Sequence, residues 1–520
     1  MAAGLDSDLD SDLGSDLGSD LNSKVPTYAR QKRDGNVSFS TKLFQGIGAI
    51  PDTVKNFVFN TFVLLYYNQV LGVDARLVSL ALAIAIIFDA ITDPLVASIS
   101  DNLKTSLGRR HPLMLIAAIP LGLSIYGVFL PPADLTDLQR FFWLLTFVLL
   151  TRGFMTLFFV PWAAIAAELS DDYAERTSIM SYRYAVGWII GVSFPLFVYN
   201  YLFPTTDAFP VGQLNPNGYP NLALAAGILL TTAAIITTLL TRREIPYLRQ
   251  HTSVTESFSP RKTARELFTA LQNRQFRLIF FVVLISAAIS GTTANIGIYM
   301  TTFFWGLNTD DLRWFAISAI GAILAFPLVS VIQKRWDKKT ILLWCSIVSL
   351  LDGIIIINLR FLDVLPDNGD PRLLMLLVGA GVFATAIAVV HGIIGASIVA
   401  DTLDDHELRT GLRQEAMFFA GLSFSGKAVS GLGIVMGGFI IAMIQFPSGV
   451  LPSEVPEQQI FLLGLIVGVL VPLLHLIPIS LIRQYKITRE EHQRITTALA
   501  ERHEALAKRH AAKPNLTGTE

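Results

Sequence analysis

Long, nearly uninterrupted runs of apolar residues recur along the chain, and they decide what it can fold into. An α-helix of about 20 apolar residues matches the thickness of the hydrocarbon core of a bilayer. We count twelve such spans, at roughly 46–71, 77–100, 112–131, 141–167, 181–203, 221–241, 275–305, 312–333, 340–361, 372–399, 414–445 and 458–482. A membrane β-barrel would instead alternate apolar and polar residues over about 10 positions. The sequence therefore predicts an all-α membrane protein with twelve transmembrane helices.

The composition excludes several other classes of protein. Only 16% of the 520 residues are charged, whereas a soluble protein carries about 25%. The formal net charge is −1, so bulk charge indicates no nucleic-acid partner. Cys345 is the only cysteine, which excludes an internal disulfide and a cysteine-based metal cluster. The sequence pairs no nucleophile with a base and offers no set of metal ligands, so we predict neither an enzyme nor a cofactor.

Polar segments divide the chain. It begins with an acidic repeat and a basic patch, which predict a disordered tail, and an arginine-rich segment separates two sets of six spans. After the last span, Ile495 and Leu499 stand at helical spacing among charged residues, which predicts an amphipathic helix. The predicted divisions are the tail 1–42, an N-terminal half 43–241, a linker 242–274, a C-terminal half 275–483 and a second tail 484–520.

Lysine and arginine are distributed unevenly between the two sets of loops. Of the 40 such residues, five lie in the loops on one side and three inside spans, and all others lie in the termini and in the loops on the other side. By the positive-inside rule, the side that is rich in these residues faces the cytoplasm. We therefore predict that both termini are cytoplasmic, in a plasma or inner membrane, and we expect a monomer.

The loops of the two halves are similar. The loop 106–112 after span 2 and the loop 334–339 after span 8 are both short and basic. Equivalent loops in two sets of six spans indicate a six-plus-six repeat. Major facilitator transporters are built in this way and bind their substrate near the midplane between the halves.

Two carboxylates interrupt the apolar sequence of span 2. Asp89 and Asp93 have an i,i+4 spacing, which places them on one face of a helix. An ionisable side chain at the centre of a bilayer costs about 2.5–3.5 kcal/mol, so each one calls for a partner. A monovalent cation, Na⁺ or H⁺, would relieve the repulsion between them, and Thr92 would add a hydroxyl ligand. The alternative is that both carboxylates make structural hydrogen bonds and bind no ion.

Other polar groups lie inside the spans. Lys427 in span 11 is the nearest predicted countercharge to the carboxylate pair, and the alternative is that it extends to the cytoplasmic surface. Arg152, Arg183 and Asn60 are candidates for a substrate cavity that binds an anionic or hydroxyl-rich solute. A structural ion pair is the alternative for Arg152, and a helix-end anchor is the alternative for Arg183.

The loop predicted between spans 10 and 11 is unusually acidic and contains Asp401 and Asp404. We expect its acids to pair with the basic loops of the other half, where Arg109 and Arg110 lie. Such pairs would hold the cytoplasmic side shut. Arg413, in the same acidic segment, belongs to this predicted cytoplasmic gate.

Three groups of short motifs belong together. They are Phe88–Pro94 with Gly108–Pro112; Val160–Trp162 with Glu175–Thr177 and Tyr182–Arg183; and Ala400–Asp404 with Thr410–Glu415 and Gly426–Lys427. As a set they resemble the glycoside–pentoside–hexuronide:cation symporters, the melibiose-permease branch of the major facilitator superfamily, over the whole twelve-span core. The resemblance implies that Asp89 and Asp93 bind the coupling cation, that Lys427 belongs to the same charge network, and that Arg183 faces the cavity.

The chain departs from the sugar-carrying members of that family at two positions. They have an acidic residue in span 1 where this chain has Thr53, with Asp52 one position away. They also have an aspartate in span 4 where this chain has Phe159. Around Phe159 the sequence is similar to the vertebrate sodium-dependent lysophosphatidylcholine symporters of the same superfamily, which carry an amphipathic lipid.

These observations predict a secondary active transporter that couples symport of a small organic solute to Na⁺ or H⁺ by alternating access. The resemblance makes a sugar or glycoside the expected solute. Phe159, which we predict on the cavity wall, favours as an alternative a sodium-dependent carrier of an amphipathic lipid such as a lysophospholipid. A membrane receptor or scaffold that does not transport is a second alternative.

Overall fold

The computed structural model describes residues 28–29, 33, 35–103, 105–170, 172–248, 250–251, 268, 271–410, 433 and 435–511. Within them, ten helices are long and apolar enough to cross a membrane. They are spans 2–10 at Ala75–Asn102, His111–Val128, Asp137–Glu168, Glu175–Leu202, Gly218–Tyr247, Arg274–Phe304, Thr309–Arg335, Lys338–Phe361 and Pro371–Thr410, and span 12 at Glu457–Gln484. This architecture confirms the predicted all-α membrane fold.

Spans 1 and 11 stand outside that set for different reasons. Span 1 is helical but divided, and Pro51 lies in the first turn of its second piece, where the missing N–H costs no helical hydrogen bond. Its pieces are the α-helices Phe39–Ile47 and Ile50–Val58 and the π-helical turns Phe59–Val63 and Tyr66–Val70. Most of the predicted span 11 falls in residues 411–432, outside the described residues, and its described part is helical over 435–443.

Irregular turns and short elements complete the chain. π-Helical turns lie within spans 5, 7 and 12 at Val198–Leu202, Met300–Phe304 and Ile466–Leu470. Short 3₁₀ helices are Gly212–Leu214, Arg242–Tyr247, Arg313–Ser318 and Pro452–Glu454. Two-residue strands, Tyr28–Ala29 and Gln250–His251, pair in antiparallel fashion. A helix after the last span runs from Arg489 to Ala511.

Glycines let the helices of each half approach closely. A Cβ atom added to Gly122 in span 3 would lie 2.5 Å from the carbonyl oxygen of Gly227 in span 6. In the other half, a Cβ atom at Gly321 in span 8 would lie 2.0 Å from the carbonyl oxygen of Val382 in span 10. Small residues permit such backbone contact between membrane helices. Each half is therefore a tight bundle of its own.

The two halves meet at the ends of the spans farthest from the chain termini, which we call the far face. Gln213, in the loop between spans 5 and 6, donates from Nε2 to Thr302 Oγ1 at 3.0 Å and accepts from Thr309 Oγ1 at 2.8 Å. The Tyr299 hydroxyl donates to Asn68 Oδ1 at 2.9 Å. All five side chains are buried. Direct contact between the halves therefore closes the far face.

At the opposite, terminal face, the ion pairs formed among the described residues join residues of the same half. Arg109 and Arg110 each donate from Nη2 to Glu168 Oε1, at 2.6 and 2.8 Å. Lys338 Nζ donates to both carboxylate oxygens of Asp401, at 2.7 and 2.8 Å. These pairs hold the terminal ends of each half separately, whereas the far-face contacts join the halves.

The acidic segment that was predicted as a loop is helical in its described part, up to Thr410. Span 10 continues without a break to Thr410, so Asp401 and Asp404 lie in its last turns. Leu403 is buried there, and the Thr402 hydroxyl lies 3.1 Å from the Tyr485 hydroxyl. The loop prediction was wrong because the charges suggested a solvated connection, whereas this end of the helix packs against span 7 and Tyr485.

Candidate functional site

The carboxylates of span 2 face two polar side chains of span 4. Arg152 Nη1 donates to Asp89 Oδ2, and the Thr156 hydroxyl donates to Asp93 Oδ1 at 2.8 Å. Arg152 and Thr156 have the same i,i+4 spacing as the two aspartates, so the helices present matching faces. The result is a ladder of two rungs near the middle of span 2.

Thr92 has a different partner from the one expected. Its hydroxyl donates to the Phe88 carbonyl of its own helix at 3.0 Å. This local bond satisfies the Thr92 hydroxyl within span 2. Thr156 supplies the hydroxyl at Asp93 instead. The sequence contains one indication of Thr156, its i,i+4 spacing from Arg152, but an uncharged threonine does not stand out in an apolar span.

Two predicted residues of this network cannot be placed. Lys427 and Arg413 both lie in residues 411–432, outside the described residues. The countercharge that the structure does describe is Arg152, which was predicted in the substrate cavity. Its guanidinium lies against Asp89 because an arginine inside an apolar bundle is stabilised by a carboxylate on the neighbouring helix.

A cavity of about 490 Å³ opens between spans 1, 4 and 5. Phe159 and Arg183 both line it, whereas Asn60 and Arg152 are not among its lining residues. Among the described residues, the lining consists of Ala49, Asp52, Thr53, Phe159, Trp162, Met180, Arg183, Tyr184, Gly187 and Trp188. The wall therefore combines aromatic rings with one carboxylate and one guanidinium.

The charged groups of this cavity are held by their neighbours. The Arg183 guanidinium lies over the Trp162 ring, 3.7 Å from its centroid. Asp52 accepts from Lys55 Nζ at 3.1 Å and from Asn56 Nδ2 at 3.0 Å, both within its own helix. The Asp52 side chain nevertheless remains 36% exposed. Both a hydrogen-bond donor and an acceptor are thus available to a solute.

In the sequence, Asp52 stands one position from the place where the sugar-carrying relatives have an acidic residue. Its neighbour Thr53 also lines the cavity, so the first helix turns both side chains toward it. Helix rotation decides which of two adjacent residues faces a cavity, and the sequence alone does not fix that rotation within span 1. The cavity therefore keeps the Asp52 carboxylate as well as Arg183, although Phe159 stands where the sugar-carrying relatives have a second carboxylate.

Asn60 lies beyond the cavity, where span 1 meets span 7. Its backbone carbonyl accepts from Asn295 Nδ2 at 3.5 Å. Asn295 is fully buried, and its Oδ1 atom has no hydrogen-bond partner. This contact joins the two halves between the cavity and the far face.

The residues of the predicted gate have partners in their own halves. Besides Glu168, Asp101 contacts Arg110 Nη2 at 2.6 Å. The His492 ring, from the helix after span 12, lies 3.0 Å from Asp404 Oδ2. Ile495 and Leu499 of that helix are buried against the C-terminal half. A pairing of these residues across the halves stays a prediction, because this structure shows them within each half.

At the level of sequence, the chain is similar to one transporter family and to several symporters. Residues 44–489 match the family described as MFS/sugar transport protein. The chain is 25% identical to an uncharacterized symporter of Synechocystis, over 81% of this chain and 88% of that protein. It is 22% identical to the putative glycoside/cation symporter YagG of Escherichia coli, with 81% and 86% covered. It is also 25% identical to the sodium-dependent lysophosphatidylcholine symporter 1 of Gallus gallus, with 90% of each covered.

Solved structures share the fold. The nucleoside transporter NupG superposes with a TM-score of 0.59 at 13% identity, covering 86% of this chain and all of that one. The xylose transporter XylE of Escherichia coli superposes with a TM-score of 0.57 at 12% identity, covering 88% and 99%. At these identities the similarity shows the major facilitator fold and leaves the solute open.

Proposed function

Since the chain belongs to the MFS/sugar transport protein family, as the resemblance implied, we propose that it is a cation-coupled symporter of a small organic solute. Its family and structural relatives are transporters and not enzymes, as predicted. The observation that carries the proposal is the position of span 4 between two sites. Thr156 of this span bonds Asp93, and Phe159, less than one turn away, lines the solute cavity.

This arrangement offers a physical mechanism by which cation binding and solute binding influence each other. A cation at Asp93 would draw in the Thr156 hydroxyl and so fix the rotation of span 4. The same rotation positions Phe159 and Trp162 on the cavity wall. Each ligand would therefore bind better to the helix position that the other one stabilises, and such a linkage must act in both directions.

Alternating access would follow from the contacts at the two faces. The terminal face, which carries most of the lysines and arginines, is proposed to be cytoplasmic by the positive-inside rule. With the far face closed, the cavity then serves solute release to the cytoplasm. In the opposite state, Asp401, Asp404 and Arg413 would exchange partners with Arg109 and Arg110 and close the terminal face.

A sugar or glycoside fits the cavity best. Hydroxyl groups require matched donors and acceptors, because an unmatched buried polar group costs about 1–3 kcal/mol. Arg183 supplies donors, Asp52 supplies an acceptor, and the Trp188 ring offers a face for the apolar side of a sugar ring. A volume of about 490 Å³ falls in the usual range for small-molecule sites.

An amphipathic lipid is the second candidate, and Phe159 is the observation that favours it. This ring replaces the carboxylate of the sugar carriers and lies beside Trp162, with ring centroids 5.3 Å apart. Tyr184 and Trp188 extend the aromatic wall along span 5. Such a wall would suit an acyl chain whose polar headgroup binds Arg183.

A thermal-shift experiment on the purified protein separates these readings. A panel of glycosides and lysophospholipids is measured in NaCl and in choline chloride, at two pH values. The proposal expects one solute class to raise the unfolding temperature more when the coupling cation is present, and Arg183→Ala to abolish that gain. Solute binding that no cation alters would instead indicate a receptor, and binding restricted to lysophospholipids would favour the second candidate.

A further inference from the structure

Arg152 places a fixed positive charge inside the proposed cation site. We infer that Arg152 is a tethered competitor of the coupling cation. Its guanidinium contacts Asp89 in this structure, and it must leave Asp89 before Na⁺ can be bound by both carboxylates. This inference rests on the proposed function, because it assigns a role within the same cation site.

The contact between Arg152 and Asp89 is weaker than a bidentate ion pair, so a cation can displace it. Only Nη1 of Arg152 reaches Asp89, at the Oδ2 atom. Asp89 Oδ1 and Arg152 Nε are both buried without a hydrogen-bond partner. A bidentate pair would use two parallel hydrogen bonds and bind more tightly. Asp89 therefore keeps one buried oxygen that a cation can use.

Charge makes the two occupants of Asp89 exclude each other. Guanidinium groups donate hydrogen bonds and have no lone pair to offer a cation. The Arg152 and Asp89 side chains are only 15% and 23% exposed, so a second positive charge beside Arg152 would be poorly screened. Na⁺ shared by Asp89 and Asp93 thus requires the guanidinium to withdraw.

The matching faces of spans 2 and 4 assign different tasks to the two rungs. At the first rung Arg152 neutralises Asp89, and at the second the Thr156 hydroxyl stands 2.8 Å from Asp93. At the second rung the Asp93 carboxylate and the Thr156 hydroxyl supply oxygen atoms, the ligands that suit Na⁺. Asp89 completes the site once Arg152 has left.

This competition lowers the apparent cation affinity, and it keeps Asp89 paired whenever no cation is bound. If the guanidinium holds Asp89 in about nine-tenths of the molecules, the apparent Kd rises about tenfold. In return, Asp89 does not stand unpaired among apolar helices, which is costly. Arg152 thereby sets the Na⁺ concentration at which the carrier loads.

Replacement of Arg152 by glutamine tests this role through a gain of affinity, which damage to the fold would not produce. Na⁺-dependent stabilisation is measured for the wild type, Arg152→Gln and Arg140→Gln. Arg140 lies in the same span and donates to the Leu71 carbonyl at 2.8 Å, away from the carboxylates. The half-saturating Na⁺ concentration is expected to fall about tenfold in Arg152→Gln and to remain unchanged in Arg140→Gln.

A second measurement uses the wild type alone and so does not depend on the folding of a variant. Phenylglyoxal modification of the Arg152 peptide is followed by mass spectrometry in NaCl and in choline chloride. Na⁺ is expected to raise the modification rate severalfold, because it frees the guanidinium. Equal rates together with an unchanged half-saturating Na⁺ concentration in Arg152→Gln would overturn the inference alone. A wild type that responds to pH but not to Na⁺ would also overturn it, yet leave symport standing, whereas no response to either would defeat both.

Discussion

Gln45 and Trp162 hold each other through two hydrogen bonds that run in opposite directions. Gln45 Nε2 donates to the Trp162 carbonyl at 2.8 Å, and Trp162 Nε1 donates to the Gln45 carbonyl at 2.9 Å. Both residues are buried. The bonds fasten span 1 to span 4 beside the solute cavity, and the indole that they fix is the one on which Arg183 stacks. We therefore regard the Gln45–Trp162 pair as the support that positions Arg183.

Gly48 makes room for that indole, and a methyl group there should displace it. A Cβ atom at Gly48 would lie 2.0 Å from Trp162 Nε1, so Gly48→Ala must move the ring. Overpacking of this kind costs about 1–3 kcal/mol. We expect a lower unfolding temperature and faster modification of Arg183 by phenylglyoxal.

Trp162→Phe should also make phenylglyoxal modify Arg183 faster, because the phenyl ring cannot donate the hydrogen bond to Gln45. Trp143→Phe is the matched control. It removes an equivalent bond to the Gly127 carbonyl, 2.8 Å long, in the same span near the far face. Equal Arg183 reactivity in wild type, Gly48→Ala and Trp162→Phe would show that the pair supports only the fold.

Asp93 and Thr156 should determine the response to the cation. Asp93→Asn replaces a full negative charge with an amide, so Na⁺- or H⁺-dependent stabilisation should disappear. Thr156→Val removes one oxygen ligand and should raise the half-saturating cation concentration about tenfold, which corresponds to about 1.4 kcal/mol. Thr151→Val is the control, because its hydroxyl bonds the Phe147 carbonyl of its own helix at 2.7 Å. A normal cation response in Asp93→Asn would remove this carboxylate from the site.

Gln213 should hold the far face closed. It bridges to Thr302 and Thr309 of the other half, so Gln213→Ala should shift the population toward a state open at the far face. Because Cys345 is the only cysteine, Cys345→Ser provides a background in which Ser79→Cys reports opening. Ser79 is buried against Gly438 of the other half.

The labelling rate of that cysteine by a polar maleimide gives the result. It should rise in Gln213→Ala and stay at the parent rate in Gln139→Ala, which alters only the cap of span 4. The same slow rate in both variants would mean that other contacts close the far face.

Phe159 should influence which solute is accepted. We expect Phe159→Ala to weaken binding of any solute that stacks on the aromatic wall and to affect lysophospholipids more than simple glycosides. Competition in the thermal-shift assay measures both classes side by side. Binding of both solute classes that persists unchanged in Phe159→Ala would show that the wall does not select the solute.

The sequence predicted the membrane architecture because length and apolarity suffice to define a span. It also located the carboxylate pair, since two aspartates in an apolar helix stand out by their cost. It did not predict the partners of side chains across helices. Arg152 was assigned to the solute cavity and lies instead on Asp89, and Thr156 gave no charge signal. These outcomes depend on helix rotation, which packing between neighbouring spans decides.

The end of span 10 illustrates a second limit. Asp401 and Asp404 suggested a loop, although pairing with Lys338 and His492 lets them stay on a packed helix. A carboxylate with a partner is compatible with regular structure, and the partners come from distant parts of the chain. Local sequence contains no information about such pairs.

Solute accumulation in proteoliposomes shows whether the protein couples solute transport to a cation gradient. Uptake of a radiolabelled solute chosen from the thermal-shift panel is measured under an inward Na⁺ gradient, under an inward proton gradient and without a gradient, for wild type and Asp93→Asn. Symport predicts that one gradient drives the wild type above the equilibrium level, whereas Asp93→Asn at most equilibrates the solute. Equal uptake with and without both gradients in the wild type, or gradient-driven accumulation by Asp93→Asn, would contradict the account.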